Sequence, residues 1–354
     1  MNFQTLSERI NFLRCPDCKM GDIKLCDNAT DGLICLNCGT IFPILLDQFI
    51  CMLPKSGISD TKIRIQEFWG DTCKQWYSDF DKNLTTERWH EYLDDLEKMF
   101  TYRRHLAVTE MELCALKGKN ILEIGSGGGS HSSLFRKYGA NVTSVDITLE
   151  RVVSTADRLA LVKEGSAIVV QADAERLPFE DDSFDIVYSN GVLHHSEDTN
   201  KCIDEVYRVL KPEGRAVLML YSRHSAQYWF NILPKTILNG SFFSLREAER
   251  IGIITEGVPK HQSKRNPITR VYSEREIRQL LKKFKIMSLR KNGFLLYQIP
   301  VIGRLRTPLM RLTKQKSWKS GTIAYGAPFY AETKLELALG RHIGFAWNIV
   351  ASKK

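Results

Sequence analysis

The sequence predicts an α/β protein, with a mostly parallel sheet covered by helices on both faces and a small cysteine-rich module ahead of it. Three observations carry this. An apolar strand over 120–124 runs directly into Gly125, Gly127 and Gly129. A second strand near 142–147 closes on an acid, Asp146. Further strand-like runs near 167–171, 184–189 and 216–221 alternate with helical stretches, and such alternation builds a parallel sheet.

The elements follow in chain order. Residues 1–55 read as a zinc-ribbon-like domain. Cys15 and Cys18 form one CxxC pair, Cys35 and Cys38 a second, with sixteen residues between them. That is metal-ribbon spacing. Four thiolates close a tetrahedral site, so the expected ion, Zn2+, is structural. An iron–sulfur centre is the metal alternative, and a redox role for a lone CxxC is the other. The remaining five cysteines read as ordinary thiols in a reducing compartment, which points to the cytoplasm. Residues 56–115 read as a helical connector or lid. Trp69, Trp76, Tyr77, Phe80, Trp89 and Tyr92 recur there among charges, as on amphipathic helices.

Residues 116–222 hold the strongest signal. Glycines let the backbone turn sharply and approach a ligand, and the helix that follows offers free N–H groups. Asp146 lies 21 residues past Gly125, where an acid reaches ribose hydroxyls in nucleotide folds. A plain structural turn is the bland alternative. Glu123 stands two residues before the first glycine, and Ser130 holds the sixth place of the glycine pattern. This set resembles the E/DxGxGxG motif of class I S-adenosylmethionine-dependent methyltransferases.

The resemblance continues through Asp173 and Ala174 after the third strand, Asn190 after the fourth, and the Lys211, Pro212, Glu213, Gly214 turn before the fifth. It implies S-adenosylmethionine as cofactor. Glu123 would serve the methionine end, Asp146 with Ile147 the ribose, and Asp173 with Ala174 the adenine. Gly125, Ser126, Gly127 and Gly129 would form the loop, and Asn190 part of the cofactor and acceptor wall. It also implies a seven-stranded Rossmann-like sheet. The runs 285–290 and 345–351 supply its sixth strand and its last, antiparallel one. Ser273, three residues before Glu276, signals a capped helix ahead of them. The stretch from Leu13 to Ile44 is similar to the zinc-ribbon family that activates methyltransferases as a separate subunit. That similarity implies a fused ribbon which braces the core or docks a partner.

Histidine suits proton removal from an acceptor near neutral pH. His194 and His195 follow the fourth strand and His224 the fifth, so these three are the candidate general bases. Packing on the cofactor is the plainer role for any one of them. His131, at the start of the glycine-loop helix, reads as a surface residue, with capping of the pocket the alternative.

Residues 223–354, the basic C-terminal part, carry 25 Lys and Arg against 7 Glu and no Asp, a net of +18 on a chain whose total is +9. Candidate partners are an anionic small-molecule or glycan acceptor, RNA, and a membrane surface touched peripherally. Apolar content is an ordinary 43 %, and no run reaches the roughly 18–20 residues of a membrane span. Residues 1–12 show no secretory pattern. Segments around 221–229 and 268–276 resemble methyltransferases of glycan and natural-product biosynthesis, where an acceptor-covering subdomain follows the fifth strand. No RNA-binding module signature is present. The expected function is methyl transfer to O or N of a small-molecule or glycan-type acceptor. The alternatives are an rRNA/tRNA methyltransferase and a non-catalytic scaffold.

Overall fold

The computed structural model describes residues 10–19, 21–26, 32–46, 48–81, 84–104, 106–256, 265–320 and 329–354, with backbone alone over 74–81. Trp76, Tyr77 and Phe80 therefore lie outside the side chains described.

Five parallel strands form the centre. They are β6 (Asn120–Ile124), β7 (Asn141–Asp146), β8 (Ser166–Gln171), β9 (Phe184–Asn190) and β10 (Leu210–Tyr221). Four of the five residues of β6 are buried, as in a strand covered on both faces. Helices α3 (Ser130–Lys137), α4 (Leu149–Ala160) and α5 (Thr199–Val209) connect them. Beyond β10 the sheet continues through β14 (Ala346–Lys353) to β11 (Phe284–Asn292), and β14 runs antiparallel to both neighbours. The seven expected strands are all in place. Ser273 and Glu276 cap α7 (Glu274–Leu280) reciprocally, as their spacing predicts.

The sheet is larger than expected, because two strands from the N-terminal module join it. A ribbon of three short antiparallel strands, β1 (Ile23–Leu25), β2 (Leu33–Cys35) and β3 (Ile41–Phe42), leads into a hairpin of β4 (Ile44–Leu45) and β5 (Phe49–Cys51). β5 pairs in parallel with β8, making nine strands in the order β11-β14-β10-β9-β6-β7-β8-β5-β4. Without it β8 would present a bare edge of backbone donors and acceptors. All three residues of β5 are buried. β10 also begins earlier than expected. Its register shifts between Leu210 and Arg215, where Pro212 removes a ladder donor and a bulge absorbs the extra residues.

The ribbon shares one core with the sheet. Leu13, Leu33, Phe42 and Ile50 cluster with Leu122, Val170 and Phe179. A second cluster joins Trp89, Leu93, Leu96 and Phe100 of α2 (Thr86–Arg103) to Phe135, Ile121 and Tyr188. Trp89 and Tyr92 are thus core residues. Trp69, on α1 (Asp60–Asp81), turns towards the carboxyl ends of the central strands, where ligands of open α/β sheets bind. In the C-terminal part, β12 (Ser317–Trp318) and β13 (Phe329–Tyr330) form a separate small ladder.

Candidate functional site

The site begins with the turn out of β6. Gly125, Gly127 and Gly129 all have positive φ, at 76°, 58° and 75°. A Cβ on Gly125 would lie 2.3 Å from Val192 Cγ2, and one on Gly129 would lie 2.9 Å from Thr155 Cα. The loop therefore needs glycine both for its left-handed backbone and for its close packing. Gly129 caps α3. Gly127 N–H donates to Asp146 Oδ2 at 3.3 Å, while Thr148 N–H and Oγ–H donate to Asp146 Oδ1 at 3.0 and 3.1 Å. The acid ending β7 thus ties down the loop beside it.

Above these strand ends lies a cavity of about 260 Å³. Glu123, Gly125, Ser126, Gly127 and Asp146 line one side of it, and Ile147, Asp173, Ala174 and Asn190 line the rest. Gly129 stands behind the wall. α1 closes the top with Lys62, Ile65 and Trp69. Lys62 pairs with Asp173 and, at 3.2 Å, with Glu175, so a helix far upstream is strapped across the mouth.

Burial sets the electrostatics. It raises the Glu123 carboxyl to about 8, although the Ser132 hydroxyl donates to it. It raises the Asp146 carboxyl too, against the pull of Arg151 and the Thr148 contacts. Asn190 Oδ1 is buried and accepts no hydrogen bond among the described residues. An orphaned acceptor in a cavity wall is a ready partner for a ligand donor. Two buried acids, an open acceptor and an exposed turn of backbone suit a polar molecule with ammonium and hydroxyl groups.

The three candidate bases separate. His195 lines the cavity and packs against Trp69, with ring centroids 5.1 Å apart. Its Nδ1 lies 3.2 Å from the Ile268 carbonyl and 3.0 Å from Thr269 Oγ1, and its Nε2 lies 3.4 Å from Glu256 Oε1. Burial holds His195 down at about 4 and lifts Glu256 to about 7. Tyr221 Oη–H donates to Glu256 at 3.2 Å. His194 is buried behind the wall with its ring tilted against Tyr221, centroids 3.8 Å apart, and neither ring nitrogen has a hydrogen-bond partner among the described residues. His224 is exposed, with its carbonyl accepting from Lys291 Nζ at 2.9 Å. Neither lines the cavity: His194 is turned behind the wall in the 3₁₀ turn after β9, and His224 lies past the end of β10 at Tyr221, where it is exposed. His131, expected at the surface, lines the cavity 3.2 Å from the Tyr188 hydroxyl.

The four cysteines also converge. Their sulfurs all lie within 4.8 Å of one another, with Cys15–Cys38 at 3.7 Å and Cys18–Cys35 at 3.6 Å. Tetrahedral thiolates about 2.3 Å from an ion stand roughly 3.8 Å apart, so the set fits a metal. A Cβ on Gly21 would meet Cys35 Sγ at 2.1 Å, so that position must be glycine for the thiols to meet.

Sequence reasoning missed Lys62, Ile65, Arg151, Glu175 and Glu256. The spacing of Lys62, Ile65 and Trp69, three and then four residues, marks one helix face and is the signal that could have found the first two. Glu256 carries no local pattern. The two segments that resemble acceptor-covering methyltransferases do meet. Ser222 bridges Tyr272, and Arg223 N–H donates to the Tyr272 carbonyl at 3.0 Å.

Comparison with known proteins places this geometry. Residues 122–218 match the methyltransferase domain family, so the central segment is a methyltransferase domain of class I type. The chain is 31 % identical over 157 residues to the ubiquinone/menaquinone biosynthesis C-methyltransferase of Haemophilus ducreyi, covering 41 % of this chain and 59 % of that one. It is 33 % identical over 129 residues to a ubiquinone biosynthesis O-methyltransferase of Coxiella burnetii, covering 34 % and 55 %. The match thus spans little more than half the length of either relative. Among solved structures, magnesium protoporphyrin IX methyltransferase of Synechocystis with bound SAH aligns over 83 % of this chain and 100 % of its own. Its identity is 14 % and its TM-score 0.47.

Proposed function

We propose that this chain is an S-adenosylmethionine-dependent methyltransferase acting on O or N of a small-molecule or glycan-type acceptor. One observation carries the reading. Glu123, Asp146 and Asn190, whose Oδ1 has no partner among the described residues, line one cavity floored by the glycine turn. Glu123 would hold the ammonium of the methionine end, and Asp146 the ribose hydroxyls. Both Asp173 oxygens already accept, from Lys62 and from Glu175 N–H, so Asp173 and Ala174 would frame the adenine rather than grip it. Bound there, S-adenosylmethionine supplies an activated methyl on a sulfonium. The chain's own task is then alignment, exclusion of water and proton handling. α1 would serve as the lid.

His195 is the residue we assign to the proton. It is neutral at pH 7, and Glu256 lies opposite its Nε2, so the pair can accept a proton from an acceptor O–H or N–H. The named activities of the two curated relatives support a small acceptor. The intact cavity speaks against a non-binding scaffold. The four-cysteine site would hold one zinc ion as a structural brace in a reducing compartment.

The test is transfer of labelled methyl into extract separated into RNA, lipid and small-molecule pools, alongside calorimetric titration with S-adenosylhomocysteine. Label should enter the small-molecule or lipid pool. His195→Gln should lower kcat by about 100-fold while leaving S-adenosylhomocysteine affinity within about threefold. Absence of saturable binding sinks the enzyme reading, and label in RNA alone sinks the acceptor class. Metal analysis should find one zinc per chain, and Cys35→Ser should lose it together with several kcal/mol of stability. Unchanged metal content would refute the brace.

A further inference from the structure

We infer that the outer face of the C-terminal part docks on an anionic lipid bilayer. Two helical segments make this face, and both are amphipathic in the wrong sense for a core. In the stretch of 3₁₀ and α-helix over 302–312, Gly303, Arg306 and Met310 are buried. The opposite stripe is Ile302, Leu305, Leu309 and Leu312, spaced three, four and three residues apart and exposed by 57, 66, 50 and 82 %. Pro308 does not break it, since it falls in the first turn of Arg306–Leu312, where its missing N–H has no partner to lose. In the π- and α-helical stretch 228–238, Tyr228, Ile232 and Thr236 face inward, while Trp229, Phe230, Ile237 and Leu238 face solvent. Asn231 Nδ2 donates to the Gln298 carbonyl at 2.5 Å, in the 3₁₀ turn Leu296–Gln298, and Gly303 N–H donates to the Ile299 carbonyl at 2.9 Å, so the two segments are linked through that turn.

Charge decides the occupant. No Asp or Glu occurs between Glu276 and Glu332, nor between Glu213 and Glu247. Arg304 and Arg311 interleave with the outward leucines, and Lys314 and Lys316 follow. Aliphatic side chains projecting from a helix and interleaved with cations match the acyl–headgroup boundary of a bilayer. Phosphate-backbone binding would use the cations and leave the leucines idle. No helix of the described residues is long and apolar enough to cross a membrane, so the contact is peripheral.

The test is sedimentation of the full chain with vesicles of phosphatidylcholine mixed with phosphatidylglycerol, and with vesicles of phosphatidylcholine alone. Binding should favour the anionic vesicles by about tenfold or more and weaken with salt. Paired Leu305→Ser and Leu309→Ser should cut it by at least about tenfold with the thermal midpoint unchanged. Paired Arg304→Gln and Arg311→Gln should abolish the preference for anionic lipid. Should the leucine pair fail to fold, paired Ile237→Ser and Leu238→Ser on the neighbouring segment is read instead. No vesicle binding, or binding unaffected by these substitutions, overturns the proposal. So does a dimer that the leucine variant dissolves, or salt-dependent RNA binding without vesicle binding.

Discussion

The cleft over β6–β9 and the outer face of 228–238 and 302–312 invert one another. In the cleft, carboxylates turn inward: Glu123, Asp146 and Asp173 are all nearly inaccessible, and each meets a donor. On the outer face, leucine and isoleucine turn outward while a charged pair is buried beneath them. Arg306 Nε and Nη2 donate to Glu336 at 2.5 and 3.1 Å, with the two side chains 5 and 0 % exposed. A small polar ligand calls for polar groups stripped of water in advance. A broad soft surface calls for apolar area left in water until contact. The two regions therefore differ in what a substitution should disturb.

The largest expected effect lies under the outer face. Arg306→Ala leaves the Glu336 carboxylate buried without its partner and should cost about 3–5 kcal/mol, read from urea unfolding of the whole chain. A loss below about 1 kcal/mol would mean that Glu336 finds water, and the contrast between the two sides of this helix would fade.

Next comes Asp146→Ala. It removes the acceptor for Gly127 and Thr148 and the proposed ribose contact, so S-adenosylhomocysteine affinity should fall by about 100-fold. Unchanged affinity would put the ligand elsewhere.

The smallest effect sharpens the cleft side. Buried and uncharged, Glu123 holds its proton up to about pH 8 in the free protein. An ammonium ligand needs the carboxylate, so binding below that pH must release a proton. Affinity should rise from about pH 6 towards 8 by no more than tenfold per unit. Calorimetry in buffers of different ionisation enthalpy should count close to one proton released. Glu123→Gln should bind more weakly with a flat profile. The same shift means that the ligand-free fold loses stability as pH climbs from the ordinary carboxyl range through about 8.

Much of the cleft was legible from the sequence because residue type alone dictates its parts. Only glycine takes φ 76° at position 125 against Val192, and only an acid at the end of β7 can hold the turn and still offer an acceptor. The cysteines were legible for the same reason, since two CxxC turns sixteen residues apart have few other uses. What failed to show was what arrives from far along the chain. Lys62 reaches Asp173 across 111 residues, and Glu256 reaches His195 from the end of α6 (Glu247–Thr255). His224 looked equivalent to His195 because both follow a strand, but the chain direction after β10 differs. The outward leucines were visible as sticky stretches. Their direction was not, because periodicity gives a stripe without saying which side faces the core.

The pairing of β5 with β8 reaches into how the chain matures. Ile50 waits for Val170, a partner 120 positions downstream. A contact of that span forms late and slows folding. Until β8 is made, β5 would be paired along one edge by β4 and open along the other. With the proposed ion holding the four cysteines, metal supply would bear on the yield of folded protein as well as on its final stability.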